Sequence, residues 1–323
     1  MLFAIVLLVI GLILLVYGAD RLVYGAAVLA REWGVSPLII GVMIVGIGTS
    51  LPELAVSVTA GLNQQTDMAV GNVLGSNIAN ILLILGSAAL IRPLTFRSDL
   101  LRRELLPMLL ITLLSGGVLY NGYLSRLDGV ILLVAAGAWI VLMLRMVRQA
   151  QQDGSDSLAR EQLAELPQAQ ADGNQTVAVL WLLLGLIILP MAARIVIDNA
   201  TVIARHFAID ELTIGLTVLA IGTSLPELAT AIVGTLKKED DIALGNLIGS
   251  NIFNLVIVLG IPALLSPGAV NPLAFQRDYG VMLGASLLLT LLCLRKKRHI
   301  GQGAGALLLC MFIAYLATLF FLY

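Results

Sequence analysis

The sequence predicts an all-α membrane protein whose ten transmembrane helices form two five-helix repeats of inverted topology. Three observations carry that prediction: apolar runs too long for a soluble domain, a block of sequence that occurs twice, and an uneven distribution of Lys and Arg. Of 323 residues, 59% are hydrophobic and 12% charged, whereas soluble chains carry roughly 25% charged residues. Crossing the hydrocarbon core takes about 20 apolar residues. Ten such segments are expected at 2–31, 36–62, 67–91, 104–121, 127–147, 176–206, 211–236, 241–265, 279–294 and 302–322. The first and sixth are long, so tilt or protrusion is expected for both. The first apolar run begins at Leu2 with no positive region before it, and is read as a retained span rather than a signal peptide.

Charge sets the expected orientation. With an external N-terminus, the inner loops carry fifteen of the nineteen Lys and Arg residues, and the outer loops only Arg126, Arg194, Arg205 and Arg277. This positive-inside bias places both termini outside the cytoplasm. The organisation is then a first repeat at 1–148, a cytoplasmic linker at 149–175 and an inverted second repeat at 176–323. The linker is the one long polar segment, and Ser157 to Leu166 within it is expected to form a short helix. Cys293 and Cys310 sit in apolar segments without ligand spacing and carry no metal or redox expectation.

The repeated block holds the chemistry. Gly48-Thr49-Ser50-Leu51-Pro52-Glu53-Leu54-Ala55 recurs unchanged at Gly222-Thr223-Ser224-Leu225-Pro226-Glu227-Leu228-Ala229, a constant offset of 174. A second motif follows in each copy, Gly71-Asn72…Gly75-Ser76-Asn77-Ile78…Asn80 and Gly245-Asn246…Gly249-Ser250-Asn251-Ile252…Asn254. Aligning 41–86 with 215–260 gives 22 identities in 46 positions. Duplication kept for packing alone would retain Gly and apolar positions, with no need to retain Thr, Ser, Pro, Glu and Asn at membrane depth.

Pro52 and Pro226 lack an N–H, and each ring displaces the carbonyl four residues earlier, at Gly48 and Gly222. In lipid a freed carbonyl must find protein, water or an ion. Glu53 and Glu227 are ionisable residues at membrane depth, which mark a functional site by default. Two facing carboxylates match one divalent cation, and Thr49, Ser50, Thr223 and Ser224 add hydroxyl oxygens within one turn. Such an all-oxygen set suits a hard cation such as Ca²⁺. No His or Cys lies nearby, which disfavours zinc, copper or iron. Ser76 with Asn80, and Ser250 with Asn254, share helix faces and are expected to line the ion path, with interhelical hydrogen bonding as the rival role. Gly71, Gly75, Gly245 and Gly249 are expected to allow close helix packing, and Asp67 and Asp241 to cap their helices.

These residues closely resemble the alpha-repeats of the calcium/cation antiporter superfamily, the sodium/calcium exchangers, and the ten-span plan resembles its compact prokaryotic members. The resemblance implies a sodium/calcium exchanger-like fold with a cluster of cation sites between the two motif pairs. Glu53 and Glu227 would ligate Ca²⁺ and Na⁺ with Thr49 and Thr223. Ser50, Ser76, Ser224 and Ser250 would line flanking Na⁺ sites with the carbonyls of Gly46 and Ala220, and Asn80 and Asn254 would complete the middle. Some members carry Asp at one of these last two positions. Here both are Asn, so the site brings two formal negative charges, which leans towards potassium independence.

The expected function is secondary active antiport of Na⁺ against Ca²⁺ across a prokaryotic inner membrane, with no catalytic residues and no cofactor beyond the transported ions. The lipid bilayer is the expected partner, nucleic acid is not, and a monomer suffices for transport. Alternating access would come from the long first and sixth helices moving across the motif bundle. The alternatives are a proton/calcium or other cation/calcium exchanger, a cation channel and, most remotely, an intramembrane hydrolase, for which Ser50 and Ser224 lack a His or Lys partner.

Overall fold

The computed structural model describes residues 1–95, 100–152, 174–207, 220–294 and 299–321. Among these residues the protein is helical apart from two short antiparallel strand pairs. Among the described residues seven helices are long and apolar enough to cross a membrane, eight when the bent pair Pro37–Thr49 and Leu51–Leu62 counts as one span. Shorter apolar helices lie at Glu104–Leu119 and Leu225–Leu236. Every expected span therefore contains helix, although two of the ten fall short of a crossing among the described residues. The span expected at 211–236 is short because 208–219 lies outside them.

Two long helices form one wall: α1 (Leu2–Glu32), 31 residues, and, after the linker, the 32-residue helix Gln175–His206. At 1.5 Å per residue, 31 residues extend about 46 Å, well beyond the ~30 Å of hydrocarbon. Gly11, Gly18 and Gly25 recur every seven residues of α1, so they share one face. A Cβ on Gly25 would meet the Ala178 carbonyl at 2.6 Å, and one on Gly18 would meet Ile188 at 3.0 Å. From the other helix, a Cβ on Gly185 would lie 2.9 Å from the Gly18 carbonyl. Small residues thus let the two backbones approach where lipid offers no hydrophobic drive.

The first motif region runs as α2 (Pro37–Ile40), a π-helical turn at Gly41–Val45, α3 (Gly46–Thr49) and α4 (Leu51–Leu62). The second runs as α5 (Thr66–Ile78), a π-helical segment at Ala79–Ile84 and α6 (Leu85–Ile91). Outer helices α7 (Leu100–Leu119) and α8 (Arg126–Gln152) complete the half, and the long helix Gln175–His206 is α9. The second half repeats the pattern with α10 (Ala220–Thr223), α11 (Leu225–Leu236) and α12 (Asp240–Phe253). A π-helical segment at Asn254–Val258 then leads to α13 (Gly260–Leu265), α14 (Gly280–Leu294) and α15 (Gln302–Phe321). Strand Leu94–Thr95 pairs with His299–Ile300, and Gly268–Ala269 pairs with Tyr123–Leu124.

Several expectations are corrected. Asp67 and Asp241 are not caps: α5 and α12 begin one residue earlier, after Gln65 and Glu239, and Asp67 Oδ1 instead accepts the Asn271 N–H at 2.7 Å. Pro52 and Pro226, expected to break their helices, each lie beside a helix break. Each stands second in a new helix after a break at Ser50 or Ser224, where a missing N–H costs nothing. The glycine pairs also differ. A Cβ on Gly245 or Gly249 would strike the carbonyls of Leu38 and Val42 at 2.4 and 2.3 Å, while Gly71 and Gly75 meet nothing within 4 Å among the described residues. The expected helix 157–166 falls outside the described residues, as does most of the linker.

Candidate cation site

The site forms where the two helix breaks face each other. Ser50 and Ser224 sit in the breaks with ψ near 8° and 9°, outside helical geometry, and the helices on either side of Ser50 bend by 43°. Each serine reaches across to the other repeat. Ser50 Oγ donates to Glu227 Oε1 at 3.0 Å, and Ser224 Oγ donates to Glu53 Oε1 at 3.4 Å. Both carboxylates are buried, at 1% and 0% exposure. Each keeps its second oxygen, Oε2, buried without a hydrogen-bond partner.

A second layer comes from the following helices. Asn80 Nδ2 donates to Asn251 Oδ1, and Asn254 Nδ2 donates to Asn77 Oδ1, both at 3.1 Å. Asn77 Nδ2 in turn donates to the Asn251 carbonyl at 3.1 Å. With their nitrogens engaged, Asn80 and Asn254 each retain a buried, unpartnered Oδ1. Buried polar atoms in native proteins are nearly always paired. Among the described residues these four oxygens, two from each repeat, are thus left over, and oxygen acceptors of this kind suit a hard cation.

The flanking residues are only partly symmetric. Thr49 Oγ1 lies 2.9 Å from Asn246 Oδ1 and 3.0 Å from the Val45 carbonyl. Ser250 Oγ donates to the Gly46 carbonyl at 3.0 Å, so two members of one expected Na⁺ group lie together. Of the matching pair, Ser76 is buried and Ala220 opens α10, but no bond joins them among the described residues. Thr223 closes α10 immediately before Ser224. Four further asparagines of the repeated motif, to which the sequence alone assigns no role, take part. Asn77, Asn251 and Asn246 complete the polar layers, and Asn72 Nδ2 holds the Glu53 carbonyl at 3.1 Å and Ser57 Oγ at 2.9 Å. Their recurrence in both copies was the available signal. Among the described residues no group of three or more His, Cys, Asp or Glu is placed to hold a metal, so any cation here relies on two carboxylates and neutral oxygens.

A family model described as sodium/calcium exchanger protein matches residues 3–145 and 177–321. The chain belongs to the sodium/calcium exchanger family. It is therefore a multi-pass membrane transporter, not an enzyme. Its relatives include the inner membrane protein YrbG of Escherichia coli, 59% identical over 100% of this chain and 98% of that protein. The putative antiporter CaxA of Alkalimonas amylolytica is 45% identical over 99% of both chains. The sodium/calcium exchanger MaX1 of Methanosarcina acetivorans is 30% identical over 91% of this chain and 92% of its own. Among solved structures, the sodium-calcium exchanger NCX_Mj superposes with a TM-score of 0.81 at 31% identity, covering 98% of both chains. The exchanger-family likeness spans both repeats, so it extends to the helices that carry Glu53 and Glu227.

Proposed function

We propose that this protein exchanges Na⁺ for Ca²⁺ across the inner membrane by alternating access, at a site shared by its two repeats. The observation that carries the proposal is the set of buried, unpartnered oxygens: Glu53 Oε2, Glu227 Oε2, Asn80 Oδ1 and Asn254 Oδ1. Burying two carboxylates without cations is costly, and a Ca²⁺ ion cancels their charge while taking up those oxygens. Two or three Na⁺ ions, spread towards Thr49, Thr223, Ser50, Ser224, Ser76, Ser250 and the carbonyls of Gly46 and Ala220, would compete for the same carboxylates. Mutual exclusion of the two ion sets makes each the counter-ion of the other. The names of MaX1 and NCX_Mj agree with these ions, and that of YrbG agrees with the inner membrane.

The ten-span inverted repeat belongs to the same proposal. Strand 94–95 and strand 268–269 are related by the offset of 174. So are two contacts at the helix turns: Thr66 Oγ1 donates to the Ser266 carbonyl, and at the equivalent positions Arg92 pairs with Asp240. With the charge bias of the loops, these equivalences support opposite faces for the two turns and external termini. The test is Ca²⁺ flux in proteoliposomes with Na⁺, K⁺ and H⁺ gradients imposed one at a time. Uptake driven by the Na⁺ gradient alone is expected. Uptake driven equally by H⁺ would make it a proton/calcium exchanger, and uptake needing no counter-ion would make it a channel.

A further inference from the structure

The asparagine layer contains a direction that the ion-ligand assignment does not explain. A backbone carbonyl accepts hydrogen bonds and never donates, whereas an Asn amide has one face of each kind. Asn77 is 1% exposed, and its Nδ2 donates to the Asn251 carbonyl at 3.1 Å and faces Met282 Sδ, a weak acceptor, at 3.7 Å. Flipping this amide would set oxygen against oxygen. Asn77 must therefore present Oδ1 to position 254, and Asn254, 0% exposed, answers by donating its Nδ2 at 3.1 Å. The Asn254 oxygen is the atom left unpartnered. On the other side, among the described residues, the chain of bonds has no such anchor. Asn80 Nδ2 donates to Asn251 Oδ1, but Asn251 Nδ2 has no partner that fixes its orientation.

We propose that Asn77 is a positioning residue that obliges position 254 to donate a hydrogen bond, so that this position presents a neutral amide oxygen to the ions and disfavours a carboxylate. Asn77 touches no ion itself. It sets the orientation of Asn254 through the Asn251 carbonyl, and with it the number of formal charges around the cation. The arrangement rejects an alternative residue by placing an acceptor against it, a repulsive element of specificity. The inference rests on the proposed Ca²⁺ site, and the test separates the two.

The test measures Ca²⁺ binding to the purified full-length protein, as the half-saturating CaCl₂ for the shift in melting temperature. Wild type is compared with N77A, N254A, N77A/N254A, N254D and N77A/N254D. Losing an oriented hydrogen bond, N77A is expected to raise half-saturation roughly tenfold. The double variant N77A/N254A should lie within about twofold of N254A, because Asn77 acts only through that neighbour. The sharpest expectation is a reversal of sign. N254D sets a carboxylate against Asn77 Oδ1, and removing that oxygen should let N77A/N254D bind Ca²⁺ several-fold more tightly than N254D. A merely structural Asn77 would make every double variant worse, and that result would overturn the inference. Should N77A fail to fold, N77S replaces it in the same comparisons. Absence of Ca²⁺ binding in the wild type would overturn the proposed site instead.

Discussion

Glu53 and Glu227 each have one oxygen tied to a serine of the opposite repeat and one oxygen free. A free buried carboxylate oxygen is a cost that a bound cation removes. Replacing either Glu with Gln keeps its shape and halves the formal charge of the site, so Ca²⁺ transport is expected to fall below detection in both variants. Thr49→Ala removes a hydroxyl already engaged with Asn246 and Val45, and flux assays should show the smaller loss, about tenfold or less. Glu239, outside the spans and 3% exposed, behaves differently. Its pKa is pushed up from 4.5 to about 7 by burial and then by Asp241 and Asp240, against the opposing charges of Lys237 and Arg31. A carboxyl with a raised folded-state pKa holds its proton longer in the folded protein. Its contribution to stability is full below about pH 4.5 and is lost as pH rises towards 7. Glu239→Gln is therefore expected to flatten the decline of melting temperature across that interval. The proposed ligand residues can be read from the duplicated motif, because Glu and Ser at membrane depth have few other uses. The roles of Asn77 and Asn251 were not, since amide direction depends on which carbonyl lies opposite.

Pro52 and Pro226 signalled the breaks at the level of the helix, and each stands second in the helix that follows its break. Neither did the sequence disclose the π-helical segments that begin at Ala79 and Asn254, because the extra residue per turn follows from packing rather than composition. Such segments are frequent at functional sites, and these two carry Asn80 and Asn254. The glycines show how context decides what a shared motif does. Gly249→Ala would place a methyl 2.3 Å from the Val42 carbonyl and is expected to cost about 1–3 kcal/mol of stability. Gly71→Ala, at an exposed position, should change stability by less than about 0.5 kcal/mol. Thermal unfolding of the two variants checks the difference, and equal losses would show that both glycines are packed.

Across the whole molecule, α1 and α9 pack on each other through glycines, and a polar link fastens α1 to the motif bundle. Lys237 Nζ lies 2.7 Å from Asp20 Oδ1 and donates to the Asp20 carbonyl at 3.2 Å. If the α1–α9 pair moves across the bundle during exchange, this link must break and re-form. Cysteines at positions 20 and 237, joined by a short bifunctional reagent, are expected to stop Ca²⁺ flux, and cleavage of the tether should restore it. Flux that continues through the intact tether would assign the motion elsewhere. The 174-residue offset made the recurrence of the helix pattern in the two halves legible in the sequence, whereas the glycine contacts between α1 and α9 depend on a register that no motif announces. The central claim is that carboxylates from both repeats serve one exchange site. Its most direct test is uptake of radiolabelled Ca²⁺ into Na⁺-loaded proteoliposomes, comparing wild type with E53Q and E227Q. Wild-type uptake is expected to collapse when the Na⁺ gradient is dissipated, with no uptake in either variant. Na⁺-driven uptake surviving in one variant would contradict that claim.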